Sequence, residues 1–271
     1  MKFIVLPGDG IGPEIVASAV AVLQAADRRY GLNIQLDYED VGFASLDKHG
    51  TTLREEVLQK ARGYDGIILG TQSHADYPAP DKGGRNISAA FRVDLDLYAN
   101  VRPARTRPYL PSNMKAGKSM DLVIMREATE GFYADRNMHL GPGEFMPTPD
   151  VALSIRKITA QGSRRIAQAA FELARARRKR VTAVHKQNVL RVTEGLFLRE
   201  VRDVAKAFPE VELDEQLVDS MAALLVRDAA RYDVVVATNM YGDILSDEAA
   251  ELSGSLGLAA SINAGESHAM A

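Results

Sequence analysis

Three aspartates in this sequence could together hold a metal ion. Asp243 and Asp247 lie four residues apart in Asn239-Met-Tyr-Gly-Asp-Ile-Leu-Ser-Asp247, and Asp219 follows an apolar, strand-like run. A spacing of four places two carboxylates on one face of a helix. Carboxylates brought close together resist ionisation unless a cation joins them, and oxygen ligands suit Mg²⁺ or Mn²⁺. The alternative is a helix whose acidic face is simply solvated.

Three arginines indicate a substrate with several carboxylates. Arg92, Arg102 and Arg126 each stand near the end of a predicted strand or helix. A guanidinium group binds a carboxylate through two parallel hydrogen bonds. One such arginine alone is more often a surface ion-pair residue, so the prediction depends on finding three of them together with an acidic site.

Tyr133 and Lys186 are candidates for proton transfer. They occur in Thr129-Glu-Gly-Phe-Tyr133 and in Val184-His-Lys186-Gln-Asn188. Either group needs a lowered pKa to act near neutral pH, and a nearby cation would lower both. An internal tyrosine or lysine taken alone is usually structural.

Apolar runs that alternate with periodic segments predict an α/β fold to position these residues. The predicted strands are Lys2–Leu6, Ile34–Glu39, Asp65–Gly70, Leu97–Val101, Asp121–Met125, Val181–His185, Val211–Leu217 and Asp233–Ala237. The predicted helices are Gly12–Tyr30, Leu53–Arg62, Arg164–Arg178, Val189–Ala207 and Asp243–Ser253. Residues 133–158 are rich in proline and glycine, which indicates an active-site loop or an arm that reaches a partner.

Composition narrows the functional classes. The 271 residues include no cysteine, which excludes disulfides, thiolate metal sites and cysteine nucleophiles. The net charge of −3 gives no reason to expect a nucleic-acid partner. The apolar run at the start is too short for a signal peptide, and no stretch is long enough for a membrane span. A cytoplasmic location without membrane contact is therefore predicted.

The glycine cluster Pro7-Gly-Asp-Gly-Ile-Gly-Pro-Glu14 joins the first predicted strand to the first helix. Its G-x-G-x-G spacing does not fit the G-x-G-x-x-G fingerprint of Rossmann dinucleotide sites. The alternative is a tight turn that needs positive φ.

Five segments resemble the β-decarboxylating dehydrogenases that act on isocitrate, homoisocitrate, 3-isopropylmalate and tartrate. These segments are Leu6-Pro-Gly-Asp-Gly-Ile-Gly-Pro-Glu14, Asp96-Leu-Tyr-Ala-Asn-Val-Arg-Pro103, Arg126-Glu-Ala-Thr-Glu-Gly-Phe-Tyr133, His185-Lys-Gln-Asn188 and Asn239-Met-Tyr-Gly-Asp-Ile-Leu-Ser-Asp247. They come in the family's order and cover essentially the whole chain, so jointly they are highly specific.

The resemblance implies a two-domain α/β sandwich with a nucleotide site that is not of the Rossmann type. The large, cofactor-side domain would comprise residues 1–99 and 252–271, and the small domain residues 100–251, with an arm at 133–158. A homodimer with shared active sites is implied. The family continues past Ala271 into a loop that cradles adenosine, so we expect that a C-terminal part is missing here, and NAD is not distinguished from NADP.

The resemblance also implies a role for each candidate residue. Substrate carboxylates would bind to Arg92, Arg102 and Arg126. Mg²⁺ or Mn²⁺ would bind to Asp243 and Asp247, with Asp219 of a second subunit. Lys186 of that second subunit would help to remove the hydroxyl proton, and Tyr133 would protonate the enolate. The cofactor would lie near Asn188, Ile11 and Gly70.

Asn86 and Ser88, which precede Arg92, are the candidates for substrate selection. Isopropylmalate enzymes usually have leucines near this position, and isocitrate enzymes usually have Ser-x-Asn, whereas this chain has Asn-x-Ser. Polar groups disfavour an isopropyl group because they would lose their hydration. The sequence thus favours a polar γ-substituent, with 3-isopropylmalate and tartrate- or malate-type substrates left open. The alternative outside catalysis is a regulatory or binding subunit that has lost hydride transfer.

Overall fold

The computed structural model describes residues 1–115, 118–133 and 137–271. The strands are β1 (Lys2–Leu6), β2 (Gln35–Tyr38), β3 (Gly66–Leu69), β4 (Ala99–Arg105), β5 (Asp121–Glu127), β6 (Glu144–Thr148), β7 (Val151–Ser154), β8 (Arg180–His185), β9 (Glu212–Leu217), β10 (Val234–Ala237), β11 (Ile262–Ala264) and β12 (Ala269–Met270). The α-helices are α1 (Gly12–Tyr30), α2 (Phe43–His49), α3 (Glu55–Ala61), α4 (Ile87–Asp94), α5 (Ala160–Arg175), α6 (Thr193–Ala205), α7 (Val218–Asp228) and α8 (Asn239–Ser253). The predicted α/β class is confirmed.

Three helices, α2, α4 and α7, are not among those predicted. The first two have 7 and 8 residues, too few for a clear helical period. Helix α7 begins at Val218 directly after β9 ends at Leu217, so no turn residue separates the two elements. Helices α3 and α6 also begin later than predicted, α3 because Arg54 is still extended. No helix among the described residues is long and apolar enough to cross a membrane.

The chain forms two compact units, Met1–Leu97 with Asn263–Ala271, and Tyr98–Ile262. The first boundary adjoins the predicted one at residues 99 and 100. The second differs from the predicted return at residue 252, because α8 runs to Ser253 and the residues after it, through Ile262, stay with the second unit.

The first unit is built on strands in the order β2-β1-β3-β12-β11. Strand β1 pairs in parallel with both β2 and β3, and alternate residues of β1 face opposite sides. Ile4 and Leu6 belong to a core cluster with Phe91 of α4, whereas Val5 packs with Val16 of α1. Both faces of the sheet at its parallel strand β1 are therefore covered.

The second unit is built on strands in the order β4-β5-β10-β8-β9, with β4 antiparallel to β5 and the other pairs parallel. Val234 and Val236 of β10 join a core cluster with α5 and α6, while Val235 joins a cluster with α7 and α8. The sheet thus lies between two helical layers. Because β5, β8 and β10 run in the same direction, their C-terminal ends, near Arg126, His185 and Ala237, lie at one edge of the sheet.

A separate hairpin, β6 with β7, occupies part of the segment that the sequence marks as an arm or loop. All of its strand residues are exposed, including Met146 and Leu153, which are 64% and 47% exposed. Residues 134–136 of this segment lie outside the described residues.

Candidate active site

The site of the second unit forms where the end of β5 meets the first turns of α8. Arg126 is the penultimate residue of β5, and its side chain is 3% exposed. Gly242 of α8 lies directly against it: a Cβ at this glycine would come within 2.7 Å of the Arg126 Cβ. Only glycine lets the helix approach the strand this closely.

Arg126, Tyr133 and Asp243 form a triangle of charged and polar groups. Arg126 Nη2 donates to the Tyr133 hydroxyl at 2.6 Å, and Nη1 pairs with Asp243 Oδ1. The Tyr133 hydroxyl donates to Asp243 Oδ2 at 2.9 Å. Arg126 Nε donates to Asn239 Oδ1 at 2.8 Å, which fixes the plane of the guanidinium group. Burial lowers the pKa of Arg126, and the charge of Asp243 opposes that shift.

Arg102 of β4 joins this cluster from the neighbouring strand. Its Nη1 lies 3.0 Å from Asp247 Oδ1, and its Nη2 lies 3.5 Å from Asp243 Oδ1. Its Nε donates to Asn100 Oδ1 at 2.8 Å. The structure therefore brings together two predicted substrate-binding arginines, two predicted metal ligands and the predicted proton donor.

Asp243 and Asp247 fit two oxygen ligands of a hard divalent cation. They lie one turn apart on α8, and their side chains are 36% and 50% exposed, so both carboxylates can be reached from solvent. Within the described part of the chain, no group of three acidic or histidine side chains is placed to hold a metal. One chain therefore supplies Asp243 and Asp247 without Asp219.

Asp219 and Lys186 form an ion pair of their own. Lys186 Nζ lies 2.5 Å from Asp219 Oδ1, and this hydrogen bond lowers the pKa of the Asp219 carboxyl. The backbone N–H of Lys186 donates to Glu194 Oε2 at 2.7 Å. That Lys186 and Asp219 serve the site of a second subunit stays a prediction.

Asn188 is exposed just beyond the end of β8. It lines an open cavity of ≈ 460 Å³ together with His185, Gln187, Arg191 and Leu217. This position leaves its side chain available to a ligand.

Arg92, Asn86 and Ser88 belong to the first unit, at helix α4. Ser88 and Arg92 are four residues apart and so share a face of the helix. Asn86 is the N-cap residue of α4, and its Oδ1 accepts the N–H of Ala89 at 3.0 Å. Its side-chain oxygen therefore already has a structural partner.

The glycine cluster near the N-terminus forms a tight turn, as one of its two interpretations predicts. Gly8 and Gly10 have φ of +74° and +56°. Ile11, at the start of α1, is 58% exposed. Gly70 is buried against the carbonyl of Pro7 and has no room for a Cβ.

Asp9, inside that turn, is a structural residue that sequence reasoning missed. Its buried carboxylate accepts the backbone N–H of Phe43 at 2.8 Å and that of Ser73 at 3.1 Å. It also accepts the hydroxyl of Tyr77, and burial together with this bond raises the pKa of Tyr77. The only signal in the sequence was a charged residue between two glycines.

Asn239 and Asn100 were missed as well, although both lie within segments that carry the resemblance. Asn239 also donates to the carbonyl of Glu130 at 2.8 Å, and thus links α8 to the segment that leads to Tyr133. An asparagine beside a predicted ligand was the available signal.

Clustered arginines, carboxylates and a tyrosine on an α/β scaffold are chemically suited to binding a carboxylate. The family model for isocitrate/isopropylmalate dehydrogenase matches residues 2–271. The 3-isopropylmalate dehydrogenase of Archaeoglobus fulgidus is 40% identical over 266 residues, which cover 98% of this chain and 74% of that protein. That of Saccharolobus solfataricus is 38% identical and is covered to 73% of its length.

Solved structures are similar too. Isocitrate dehydrogenase from Methylococcus capsulatus superposes with a TM-score of 0.85 at 40% identity, covering 99% of this chain and 76% of that one. The TT0538 protein from Thermus thermophilus has a TM-score of 0.84 at 34% identity, covering 99% and 52%. The chain belongs to the isocitrate/isopropylmalate dehydrogenase family. It is therefore an oxidoreductase of the decarboxylating dehydrogenase class.

Proposed function

We propose that this protein oxidises and decarboxylates a 2-hydroxy-3-carboxy acid, with NAD or NADP as hydride acceptor and Mg²⁺ or Mn²⁺ as the metal. The observation that carries the proposal is the meeting of Arg102, Arg126, Tyr133, Asp243 and Asp247 at one edge of the second unit. Two cations suit the carboxylates of the substrate, and two carboxylates suit a metal.

The proposed roles are those that the resemblance to the family implies. Arg102 and Arg126, with Arg92 of the first unit, would bind the substrate carboxylates. A divalent cation held by Asp243 and Asp247, with Asp219 of a second subunit, would stabilise negative charge on the substrate oxygens. Tyr133, whose hydroxyl already has a proton to give and is oriented by Arg126, would protonate the carbon from which CO₂ departs.

Lys186 of a second subunit would take part in removing the hydroxyl proton. Its Nζ is held by Asp219, so within one chain this lysine and the remaining metal ligand are kept together. The exposed apolar side chains of the β6–β7 hairpin support a homodimer, because such a surface is stabilised when a second copy covers it.

The first unit would carry the cofactor side of the site, with Ile11 and Gly70 beside the nucleotide and Asn188 near the nicotinamide. The exposed positions of Ile11 and Asn188 support this. The reaction needs no nucleic acid and no membrane, and we place it in the cytoplasm.

For the substrate, we favour a polar γ-substituent. Ser88 shares a helix face with Arg92. If Arg92 binds a substrate carboxylate, the Ser88 hydroxyl would lie beside the γ-substituent of that substrate. Asn86 contributes less than the sequence suggests, since its oxygen caps α4. The curated relatives named 3-isopropylmalate dehydrogenase support 3-isopropylmalate as the second candidate.

A substrate panel tests the proposal. Purified protein with Mn²⁺ is mixed with NAD or NADP and, in turn, with isocitrate, homoisocitrate, 3-isopropylmalate, tartrate and malate, and cofactor reduction is followed at 340 nm. We expect reduction with one acid and CO₂ in equal amount. Failure with every acid would reject the proposed enzymatic activity and favour the regulatory-subunit alternative.

The variant Tyr133→Phe tests the proton donor. It should lose decarboxylated product more than substrate binding; a variant with full activity would remove Tyr133 from the mechanism.

A further inference from the structure

A buried ion pair joins Arg156 to Glu194 in the second unit. Their side chains are 6% and 0% exposed, and Arg156 Nη1 contacts Glu194 Oε1. Arg156 lies just beyond strand β7, and Glu194 lies in the first turn of α6. Removing two charges from water costs more than their attraction returns unless further bonds complete the site. The surroundings of each partner show what those further bonds are.

Arg156 is held against the segment that carries Tyr133. Its guanidinium carbon lies 5.5 Å from the ring centre of Phe132, the residue before Tyr133, and 5.1 Å from that of Tyr241. Its Nη2 donates to Thr238 Oγ1 at 2.9 Å. One cation therefore packs against both the Tyr133 segment and the start of α8, by aromatic stacking and by a hydrogen bond.

Glu194 is held against the segment that carries Lys186. Its Oε2 accepts the backbone N–H of Lys186 at 2.7 Å, just after β8 ends. Beside it, Thr193 Oγ1 accepts Arg156 Nη1 at 3.3 Å. The carboxylate thus uses one oxygen for the arginine and the other for the backbone of the lysine.

We infer that the Arg156–Glu194 pair is a positioning device that sets the places of Tyr133 and Lys186 relative to each other. The inference depends on the proposed function, which makes these two residues the proton-transfer groups. Because Lys186 would serve a second subunit, one pair adjusts a group in each of two active sites. Neither Arg156 nor Glu194 is a catalytic residue in this account; each acts through its neighbour.

The double variant R156M/E194L separates positioning from stability. Removing both charges together leaves no unpaired buried charge, so the variant is expected to fold, with a melting temperature lowered by the loss of these hydrogen bonds. It leaves the Lys186 N–H and the Thr238 hydroxyl without their partners. Small misplacements of reacting groups reduce turnover by about 10²-fold. We expect kcat to fall by about that factor, with a smaller change in KM for the acid.

A control on the same helix, α6, is the pair Arg164–Glu200. The Glu200 side chain is 3% exposed and its Oε2 is 2.7 Å from Arg164 Nη2, whereas the Arg164 side chain is 61% exposed. The R164M/E200M variant is expected to retain the wild-type kcat. A folded R156M/E194L protein with wild-type kcat would overturn the inference, as would an equal loss in the control.

The single variants R156K and E194Q decide the matter if the double variant does not fold. Lysine keeps the charge but cannot stack between two rings and donate as a fork. Glutamine keeps an acceptor for the Lys186 N–H, so E194Q should retain more activity than R156K. A kcat for R156K at least tenfold below wild type, measured on folded protein, supports positioning, and an unchanged kcat rejects it. Inactive wild-type protein in the substrate panel would instead reject the proposed function itself.

Discussion

Asp9 and Asp243 are both aspartates that follow the end of a parallel strand, yet their surroundings differ. Asp9, in the first unit, is 7% exposed and accepts two backbone N–H groups and a tyrosine hydroxyl. Asp243, in the second unit, has a 36% exposed side chain and faces Arg102, Arg126 and Tyr133.

The partners of a buried or half-buried carboxylate indicate whether its role is structural or catalytic. Backbone N–H groups cannot move away, so the carboxylate of Asp9 holds three loops in fixed relation. The side chains of Arg102 and Tyr133 are only partly buried and can turn toward a ligand, so the carboxylate of Asp243 can exchange these partners for a substrate or a cation. Asp9 is thus expected to govern stability, and Asp243 turnover.

The largest expected effect is that of Asp243→Asn on turnover. Losing a charge that stabilises the reacting groups lowers kcat by about 10³-fold. Since the carboxylate is partly solvated and asparagine can still accept the hydrogen bond of Arg126, the free energy of unfolding should fall by less than in Asp9→Asn. Steady-state kinetics and urea unfolding measure the two quantities. Asp203→Asn, at an exposed helical ion pair with Lys206, is the control; a D243N protein as active as that control would break the comparison.

Asp9→Asn should have the reverse pattern, with a large loss of unfolding free energy and a small change in kcat. An amide turns one of the two oxygens into a donor, which then faces an N–H or a hydroxyl, and a buried unsatisfied group of this kind costs about 3 kcal/mol of folding free energy. Urea unfolding measures the loss. Asp37→Asn is a matched control, because the carboxylate of Asp37 also accepts a tyrosine hydroxyl, that of Tyr64, but is 53% exposed. Equal losses in D9N and D37N would contradict the structural role assigned to Asp9.

Gly242→Ala tests how closely helix α8 must pack against strand β5 beside Asp243. The added Cβ would lie 2.7 Å from the Arg126 Cβ and 2.8 Å from its Cγ, so strand and helix must move apart. Overpacking of this kind costs about 1–3 kcal/mol. Gly195→Ala is the control, since the nearest atom to its added Cβ is 3.4 Å away on a flexible glutamine. The melting temperature should fall in Gly242→Ala and rise in Gly195→Ala, because alanine is favoured over glycine in a helix where space allows.

The smallest expected effect is a change of stability with pH that arises from Glu130, a third carboxylate. It is 4% exposed and accepts the N–H of Thr159 at 2.9 Å and its hydroxyl at 2.8 Å. Burial raises its pKa above the ordinary value of 4.5, in spite of these bonds. The folded protein therefore binds this proton more tightly than the unfolded chain does.

It follows that the contribution of Glu130 to stability is greatest below pH 4.5 and is lost as the pH rises through its raised pKa. Unfolding free energies of wild type and Glu130→Gln, measured from pH 4 to pH 7, isolate this contribution. Their difference should fall with rising pH by at most about 1.4 kcal/mol for each unit of pKa shift. A difference that rises with pH would show that the bonds from Thr159 outweigh burial.

Much of the fold was accessible from sequence because strands buried on both faces leave continuous apolar runs. Strand Lys2–Leu6 has the predicted bounds for this reason, and helix Gly12–Tyr30 has them because Pro13 lies in its first turn and Gly31 ends it. Helix α4 was not predicted because its eight residues carry Arg92 and Asp94 among apolar ones, and the boundary is set by the Asn86 cap, which only the backbone reveals.

The site was accessible in part. Spacing alone places Asp243 and Asp247 on one helix face, but which arginines meet them depends on the antiparallel pairing of β4 with β5, in which Arg102 lies opposite Ile124. Asp9 and the Arg156–Glu194 pair could not be found from spacing, because their partners are tens of residues distant and include backbone groups. Long-range packing, rather than local pattern, decides such roles.

The extensive pairing of strand β5 means that this part of the site is ordered before a ligand binds. It pairs with β4 along all seven of its residues and with β10 along four, and six of its residues are buried. Its amide protons should be among the last to exchange with deuterated solvent, and only through cooperative unfolding. The guanidinium at its end is thus in place before any ligand arrives, so little of the ligand's affinity is consumed in ordering that part of the receptor.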